Sequence, residues 1–190
     1  MDFALAKRQV LARVDKSSKG SVDKAIVQTL DALNVLPQYY TTSSCAGRIM
    51  LIAPHISLQK NQSHVLFCSH EQVTVPDVTK ALEDYKGKRT VWLRCEAFIL
   101  HVASRSLKDA NSLLMITHNL GLKRSGITSL RRNIVEILST EKLDAPVMSN
   151  KKLLLRDFSN YVQIANGLLA RTHDRLAQFT FLISSLLRAQ

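Results

Sequence analysis

The C-terminal segment places the strongest constraint on the fold of this chain. From Asp157 to about Ala189, apolar residues recur mostly at steps of three and four, which is the spacing of one face of an α-helix. A continuous helix of this length would extend about 50 Å, more than a compact domain of this size needs. We therefore predict a long C-terminal helix with a kink near Gly167 or a break near His173 and Asp174.

Shorter patterns of both periodicities precede this helix. Helical spacing, capping residues and glycine stops predict helices over residues 3–14, 22–33, 76–85 and 106–121. Short apolar runs predict strands over 48–54, 63–69, 90–96, 97–104 and within 126–140, with a turn at 60–63. The composition is globular, with 46% hydrophobic and 22% charged residues. These elements predict an α+β fold with a mixed sheet, formed by residues 1–190 as a single domain.

Two segments resemble one another. "LFCSHEQVTVPDVTKAL" (66–82) and "LHVASRSLKDANSLL" (100–114) both run from an apolar strand through a serine and a basic residue into a helix. A duplicated strand-helix unit would explain the similarity, and chance similarity of short segments is the alternative.

The charge of the chain indicates a polyanionic partner. It has 26 Lys and Arg residues against 15 Asp and Glu residues, a formal net charge of +11. Nucleic acid and anionic membrane surfaces are the usual partners of such an excess, and a merely basic protein is the alternative. No apolar run approaches the roughly 20 residues of a membrane span, and the first residues lack a signal-peptide pattern. We expect a cytoplasmic protein with no membrane partner.

The cysteines are few and widely spaced. Cys45, Cys68 and Cys95 form no C-x-x-C pair, which argues against a disulfide framework and a structural zinc site. A site built from Cys68, His70 and a distant ligand stays open, but we expect no metal.

The segment "YYTTSSCAGRIML" (39–51) combines hydroxyl groups, a thiol, small residues and Arg48. These groups suit an anion or carboxylate cradle, in which Arg48 binds two oxygens. A nucleophilic Cys45 and a purely structural turn are the two other interpretations. The cradle is the favoured interpretation. The spacing from Cys45 to Arg48 is shorter than in cysteine phosphatases, which argues against a nucleophilic Cys45.

Three further features carry potential chemistry. If the pleat is continuous over 92–102, Trp92 and Glu96 lie on one face and His101 on the other. Glu96 is then half of an ion pair or a functional carboxylate, and His101 is a core histidine or an acid-base group. A cluster of cations near a glycine turn suits a phosphate backbone, with a solvated charge run as the alternative. Its members are Lys123, Arg124, Arg131 and Arg132.

The motifs "DKSSKGSVD", "YYTTSSCAGRI", "EAFILHV" and "GLKRSGI", in this order, resemble the wybutosine-synthesising methyltransferase family. The resemblance covers nearly the whole chain, including "FCSH" and the C-terminal helix. Within the family, the chain resembles archaeal-type stand-alone members. It implies an α+β fold with duplicated strand-helix units in a pseudo-twofold arrangement. This chain has Ala46 where the family usually has serine, which removes one hydroxyl from the motif.

The resemblance also implies a function. The family transfers a methyl group from S-adenosylmethionine to N4 of a tricyclic wyosine precursor, at the guanosine 3′ to the anticodon (position 37) of tRNA-Phe. The alternative is a non-catalytic RNA-binding module that uses the basic face.

Site residues follow from the positions that match the family motifs. The candidate catalytic residues are His101, Glu96 and His70. The candidate cofactor-binding residues are Thr42, Ser43, Ser44, Cys45, Gly47 and Arg48. The candidate substrate-binding residues are Asp15, Lys19, Asp23, Lys123, Arg124, Ser125 and Gly126.

Overall fold

The structure is a computed structural model that describes residues 2–12, 22–54 and 63–188. Asp15, Lys19 and most of the predicted turn at 60–63 lie outside the described residues. The helices are α1 (Phe3–Leu11), α2 (Val27–Val35), α3 (Val75–Asp84), α4 (Leu107–Asn119) and α5 (Phe158–Arg188), and a short 3₁₀ turn (Lys24–Ile26) precedes α2. The strands are β1 (Tyr39–Cys45), β2 (Arg48–Ala53), β3 (His64–Ser69), β4 (Val91–Glu96), β5 (Ile99–Ser104), β6 (Gly126–Ser129), β7 (Ile134–Leu138), β8 (Leu143–Ser149) and β9 (Lys152–Leu153).

The predicted α+β class is confirmed, but the sheet arrangement differs from the prediction. The strands form two sheets, with the orders β1-β5-β7-β6 and β3-β2-β4-β8-β9. Every pairing between the described strands is antiparallel, so the prediction of a mixed sheet is wrong. Apolar spacing identifies strands, whereas strand direction depends on connections that local patterns do not encode.

The chain divides into two compact units, and each contains one of the sheets. The first unit consists of Met1–Ala46, Phe98–Thr140 and Thr172–Gln190. The second consists of Gly47–Ala97 and Glu141–Arg171. The assignment of residues 1–190 to a single domain stays a prediction.

The first unit buries one face of its sheet under α2, α4 and the end of α5. Leu100 and Val102 of β5 pack there with Leu113 of α4 and Phe179 of α5, and all four are fully or almost fully buried. The opposite face is covered at one end by α1, where Phe3 packs against a small cluster around Tyr40. A two-faced sheet of this kind fixes its register, because a slip of one residue would exchange the two faces.

The second unit repeats this principle with different elements. Val91, Leu93 and Cys95 of β4 are fully buried, whereas the residues between them are half-exposed. The core is completed by α3 and by the first half of α5. The Asn166 side chain fixes α5 to the segment before α3: its Nδ2 donates to Val73 O at 2.8 Å, and its Oδ1 accepts from Val73 N at 2.9 Å.

The C-terminal helix is continuous in secondary structure, so the predicted break near His173 and Asp174 is wrong. Gly167, in the interior of this helix, costs only about 1 kcal/mol relative to alanine. The packing of a long apolar face offsets this cost. Val162 and Leu169 are buried before the predicted break, and Leu176 and Ile183 are buried after it.

Both strand-to-helix segments of the predicted duplication exist, as β3 followed by α3 and β5 followed by α4. Each helix begins with the same capping arrangement. Thr74 Oγ1 accepts from Asp77 N, and Ser106 Oγ accepts from Asp109 N, at 3.3 and 3.1 Å. Such side chains satisfy the unpaired N–H groups of a first helical turn. The duplication and its pseudo-twofold symmetry stay predictions.

The prediction of strands within 126–140 is confirmed, because this run forms a hairpin of β6 and β7, with Asn133 at a positive φ of 48° in its turn. Strand β8 was not predicted, because Pro146 interrupts its pattern and proline is a signal against a strand.

No helix among the described residues is long and apolar enough to cross a membrane.

Replacing a core aromatic residue should destabilise the fold far more than replacing an exposed one. Phe98 is fully buried, whereas Phe181 of α5 is 65% exposed. We expect Phe98→Ala to lower the free energy of unfolding by about 3–5 kcal/mol, through lost burial and a new cavity. Phe181→Ala, the matched control, should change it by less than about 1 kcal/mol. Urea unfolding followed by circular dichroism measures both, and equal losses would contradict the burial described here.

The cysteines should differ in reactivity. Burial, together with the negative charges of Glu96 and Glu141, raises the pKa of the Cys95 thiol to about 11. Cys68 is exposed. At about pH 8, a thiol-specific disulfide reagent should modify Cys68 rapidly and Cys95 only on unfolding, because the thiolate is the reactive form. The Cys68→Ser variant should lose the rapid phase; rapid modification that persists in it and disappears in Cys95→Ala would contradict the assignment.

The same thiol should make stability depend on alkaline pH. An unfolded thiol releases its proton near about pH 8.5, whereas native Cys95 keeps its proton until its folded pKa. The free energy of unfolding should therefore fall as the pH rises from about 8.5 to 11, because the native state binds more protons there. The difference in this slope between the wild type and Cys95→Ala, measured by urea unfolding, isolates the contribution.

Candidate active site

The hydroxyl residues of the motif "YYTTSSCAGRIML" lie in the edge strand β1 and not in a turn. Strand β1 pairs with β5 from Tyr39↔Ser104 to Cys45↔Ile99. A bulge interrupts the pairing: Thr41 lies opposite Val102, and Ser43 lies opposite His101. Thr42 is therefore the extra residue, and its Oγ1 donates to His101 O at 3.2 Å. Hydroxyl residues mark turns in sequence, and here the pairing with β5 overrides that preference.

The bulge decides which hydroxyl lies beside His101. Tyr40 and Ala103 are opposite one another on the face that α1 covers. Strict alternation would place Thr42 next on that face. The extra residue turns Ser43 there instead, which is a known role of bulges beside functional groups.

Three polar side chains form a row across β1, β5 and β7. Ser43 Oγ lies 2.8 Å from His101 Nδ1, and His101 Nε2 lies 2.9 Å from Glu136 Oε2. The three residues are also directly opposite in the strand registers. The side chains of His101 and Glu136 are 29% and 30% exposed, so His101 is not a core histidine.

A buried carboxylate binds the backbone of the turn between β1 and β2. Asp23 is 9% exposed, and its Oδ2 accepts from Ala46 N at 3.0 Å. Ala46 itself is fully buried. Asp23 therefore binds the backbone of the turn, and its assignment as a substrate-binding residue stays a prediction. Cys45 is half-buried, and Ser44 is half-buried opposite Leu100.

In the second unit, Arg48 and Glu96 form an ion pair. They are directly opposite in β2 and β4, and Arg48 Nε donates to Glu96 Oε2 at 2.6 Å. Their side chains are 38% and 33% exposed. Arg94 extends the charged row, because it makes two 3.1 Å hydrogen bonds to Asp144 of β8. Of the two sequence interpretations of Glu96, the ion pair is the one observed.

The pleat that the sequence analysis extends over 92–102 is not continuous. Strand β4 ends at Glu96 in one sheet, and β5 begins at Ile99 in the other. Glu96 and His101 therefore belong to separate units. Trp92 is half-buried on the same side of β4 as Glu96.

His70 and Gly47 lie together in the second unit. His70 Nδ1 is 2.9 Å from Gly47 O. Gly47 has φ 98°, a conformation that glycine adopts without strain and other residues disfavour. The backbone conformation at position 47 therefore explains why the motif has a glycine there.

The cations around the predicted phosphate-binding turn are all exposed: Lys123, Arg124, Arg131 and Arg132. Ser125 between them is 6% exposed, and its Oγ accepts from Leu138 N at 3.4 Å. His118 Nε2 lies 3.0 Å from Ser125 O. Ser125 is thus a structural contact of the turn, while its neighbours project into solvent.

Sequence reasoning missed two acidic members of these rows, Glu136 and Asp144. Glu136 occupies the polar position in "IVEIL", where both flanking residues are apolar. In an alternating strand this position must lie on the face opposite the core, which is a usable signal. Asp144 carried no such signal, since β8 itself was not predicted.

Comparison with known proteins agrees with the motif resemblance. The family model described as Methyltransferase TYW3 matches residues 5–185. A Pyrococcus abyssi protein is 34% identical over 183 residues, covering 94% of each chain. It is named "tRNA(Phe) 7-((3-amino-3-carboxypropyl)-4-demethylwyosine(37)-N(4))-methyltransferase 1". A human protein, "tRNA wybutosine-synthesizing protein 3 homolog", is 34% identical over 94% of this chain and 71% of its own.

A solved structure has the same fold. It is a protein from Pyrococcus horikoshii, with a TM-score of 0.86, 32% identity and 95% coverage of both chains. The family match spans nearly all of the chain, and relatives above 30% identity span it as well. The chain therefore belongs to the Methyltransferase TYW3 family and is an enzyme of the methyltransferase class.

Proposed function

We propose that this protein methylates ring nitrogen N4 of a tricyclic wyosine precursor at position 37 of tRNA-Phe, with S-adenosylmethionine as the methyl donor. The observation that carries the proposal is the near full-length match to the Pyrococcus abyssi enzyme, whose name gives N4 of a 4-demethylwyosine at position 37 of tRNA(Phe) as the methylated position. The alternative of a non-catalytic RNA-binding module is not favoured, because the family is one of methyltransferases.

The ion pair between Arg48 and Glu96 fits the amino-acid end of the methyl donor. That end carries one ammonium and one carboxylate, and the pair offers the complementary charges on partly exposed side chains. A ligand of this kind can replace the contact between the two residues with one charge-assisted hydrogen bond to each. S-adenosylmethionine supplies a methyl group bound to a positively charged sulfur, and the chain's task is then mainly to position the acceptor nitrogen.

The exposed cations of the first unit fit the phosphate backbone of RNA. Lys123 and Arg124 precede β6, and Arg131 and Arg132 lie in the hairpin turn that follows it. Contacts of this type contribute affinity that weakens as salt rises, and they position the RNA without reading its sequence.

The wild-type protein should transfer methyl groups to tRNA-Phe that carries the demethylated precursor. The measurement uses labelled S-adenosylmethionine and mass spectrometry of the modified nucleoside, which should gain one methyl group. Unmodified tRNA-Phe is the matched control and should gain none. RNA binding without any methyl transfer would contradict the proposal and support the RNA-binding alternative.

Removing the Arg48 guanidinium should weaken donor binding. We expect Arg48→Ala to raise the Kd for S-adenosylmethionine by about 10- to 100-fold, because a hydrogen bond to a charged group contributes roughly 1.5–3 kcal/mol. Arg105→Ala is the matched control: Arg105 is also paired with a carboxylate, that of Asp109 at 3.4 Å, and is expected to leave the Kd unchanged. Calorimetric titration measures both, and an unchanged Kd for Arg48→Ala would remove Arg48 from the donor site.

A further inference from the structure

We propose that Ser43, His101 and Glu136 form a proton relay that removes the proton of the acceptor nitrogen, with Ser43 contacting the substrate and Glu136 acting as a positioning residue. This inference rests on the proposed function and deepens it. It also reassigns Ser43, which the sequence analysis places in the cofactor site.

The hydrogen-bond partners set the direction of the relay. An ionised carboxylate only accepts hydrogen bonds, so the 2.9 Å contact with Glu136 Oε2 requires the proton of neutral His101 on Nε2. His101 Nδ1 is then an acceptor, and the 2.8 Å contact is a donation from the Ser43 hydroxyl. The lone pairs of Ser43 Oγ remain to accept a proton from a ligand.

The backbone builds this row on rigid elements. All three residues lie in neighbouring strands of one sheet, and the bulge at Thr42 brings Ser43 to the His101 position. Thr42 Oγ1 donates to His101 O and thereby braces the bulge against the strand that carries the imidazole. The core faces of β5 and β7 hold His101 and Glu136 in register, because Val102 and Val135, which are paired with one another, are fully buried on the opposite face of the sheet.

The outer end of the row is left open by a glycine. Gly126 of β6 is opposite Glu136, so this strand adds no side chain beside the carboxylate. A Cβ at Gly126 would have no described atom within 4 Å, and its backbone is not in the left-handed region. Neither packing nor backbone conformation therefore requires a glycine here. The glycine leaves space beside the carboxylate that a ligand can occupy.

The methylation requires a proton acceptor, and the row supplies one. The acceptor nitrogen exchanges its hydrogen for the methyl group, so one proton must leave in each turnover. That proton passes to Ser43 Oγ as the hydroxyl proton of Ser43 passes to His101 Nδ1. The resulting imidazolium is stabilised by the Glu136 carboxylate and then releases one proton to solvent, which restores the row.

The first test does not depend on methyl transfer. Long-range ¹H–¹⁵N correlation spectra of the full chain, at about pH 8, report which His101 nitrogen carries the proton; His101→Gln identifies the signals. We expect the Nε2–H form in the wild type. In Glu136→Ala we expect both forms, because the Ser43 hydroxyl can donate or accept. Glu83→Ala, an exposed glutamate of α3, is the matched control and should leave the spectrum unchanged.

A wild-type spectrum with the proton on Nδ1 would overturn the relay. A tautomer that is unchanged in Glu136→Ala would remove the positioning role of Glu136. Circular dichroism establishes that each variant is folded. A change in its His101 spectrum then reports a lost hydrogen bond and not unfolding.

The second test separates the relay from cofactor binding. We expect Ser43→Ala to lower kcat by about 100-fold or more, the usual size of a general acid-base contribution, and to leave the Kd for S-adenosylmethionine unchanged. Glu136→Ala should lower kcat by at least about 10-fold with little change in KM. Ser112→Ala, an exposed serine of α4, is the control. An unchanged kcat with a raised cofactor Kd in Ser43→Ala would overturn the relay and return Ser43 to the cofactor site.

The glycine gives an independent check. Gly126→Leu should raise the KM for tRNA at least about 10-fold, because its side chain would occupy the space beside Glu136, and should leave the His101 tautomer as in the wild type. An unchanged KM would place the substrate elsewhere and overturn the relay. If the wild type itself transfers no methyl group to this tRNA, the proposed function fails, and the tautomer spectra alone decide whether the row exists as described.

Discussion

Burial of one face of the central strand β5 is the constraint on which the candidate site depends. Leu100 and Val102 lie in the core of the first unit, so the alternating pleat leaves His101 on the opposite face. The same burial on β7 leaves Glu136 beside it. The contact between imidazole and carboxylate therefore follows from apolar packing on the other side of the sheet. A change of register would remove the site and the core together.

The two units use this principle for different chemistry. In the first unit, the face opposite the core carries the Ser43 hydroxyl, the His101 imidazole and the Glu136 carboxylate side by side on β1, β5 and β7. In the second, it carries alternating full charges, with Arg48 paired to Glu96 and Arg94 paired to Asp144. Partly exposed ion pairs add little stability, typically less than about 1 kcal/mol, so the second row is poorly explained as a folding device. Under the proposed function, a ligand that bears both charges would bind this row.

Several features of the fold were predictable because they depend on local patterns. The long helix α5, the starts of α3 and α4 and the core alternation of β4 all follow from spacing and capping over a few residues. The motif resemblance also anticipated the family. Predictions failed where long-range pairing decides the outcome. The hydroxyl residues of β1 favour a turn in local sequence, and Pro146 interrupts the strand pattern of β8. The direction of each strand pair is not encoded in local patterns.

The sequence by itself determined the residue types of the site: the hydroxyls of β1, the imidazole of His101, the guanidinium of Arg48 and the exposed cations near Gly126. It also determined the family, because motif order is a property of the chain. Only the tertiary structure decided which of these groups meet. The bulge at Thr42 selected Ser43 over its neighbour, and strand pairing brought Glu136 to His101 from 35 residues away. Hydrogen bonds act over about 3 Å, so such partners are chosen by register, which sequence spacing alone does not specify.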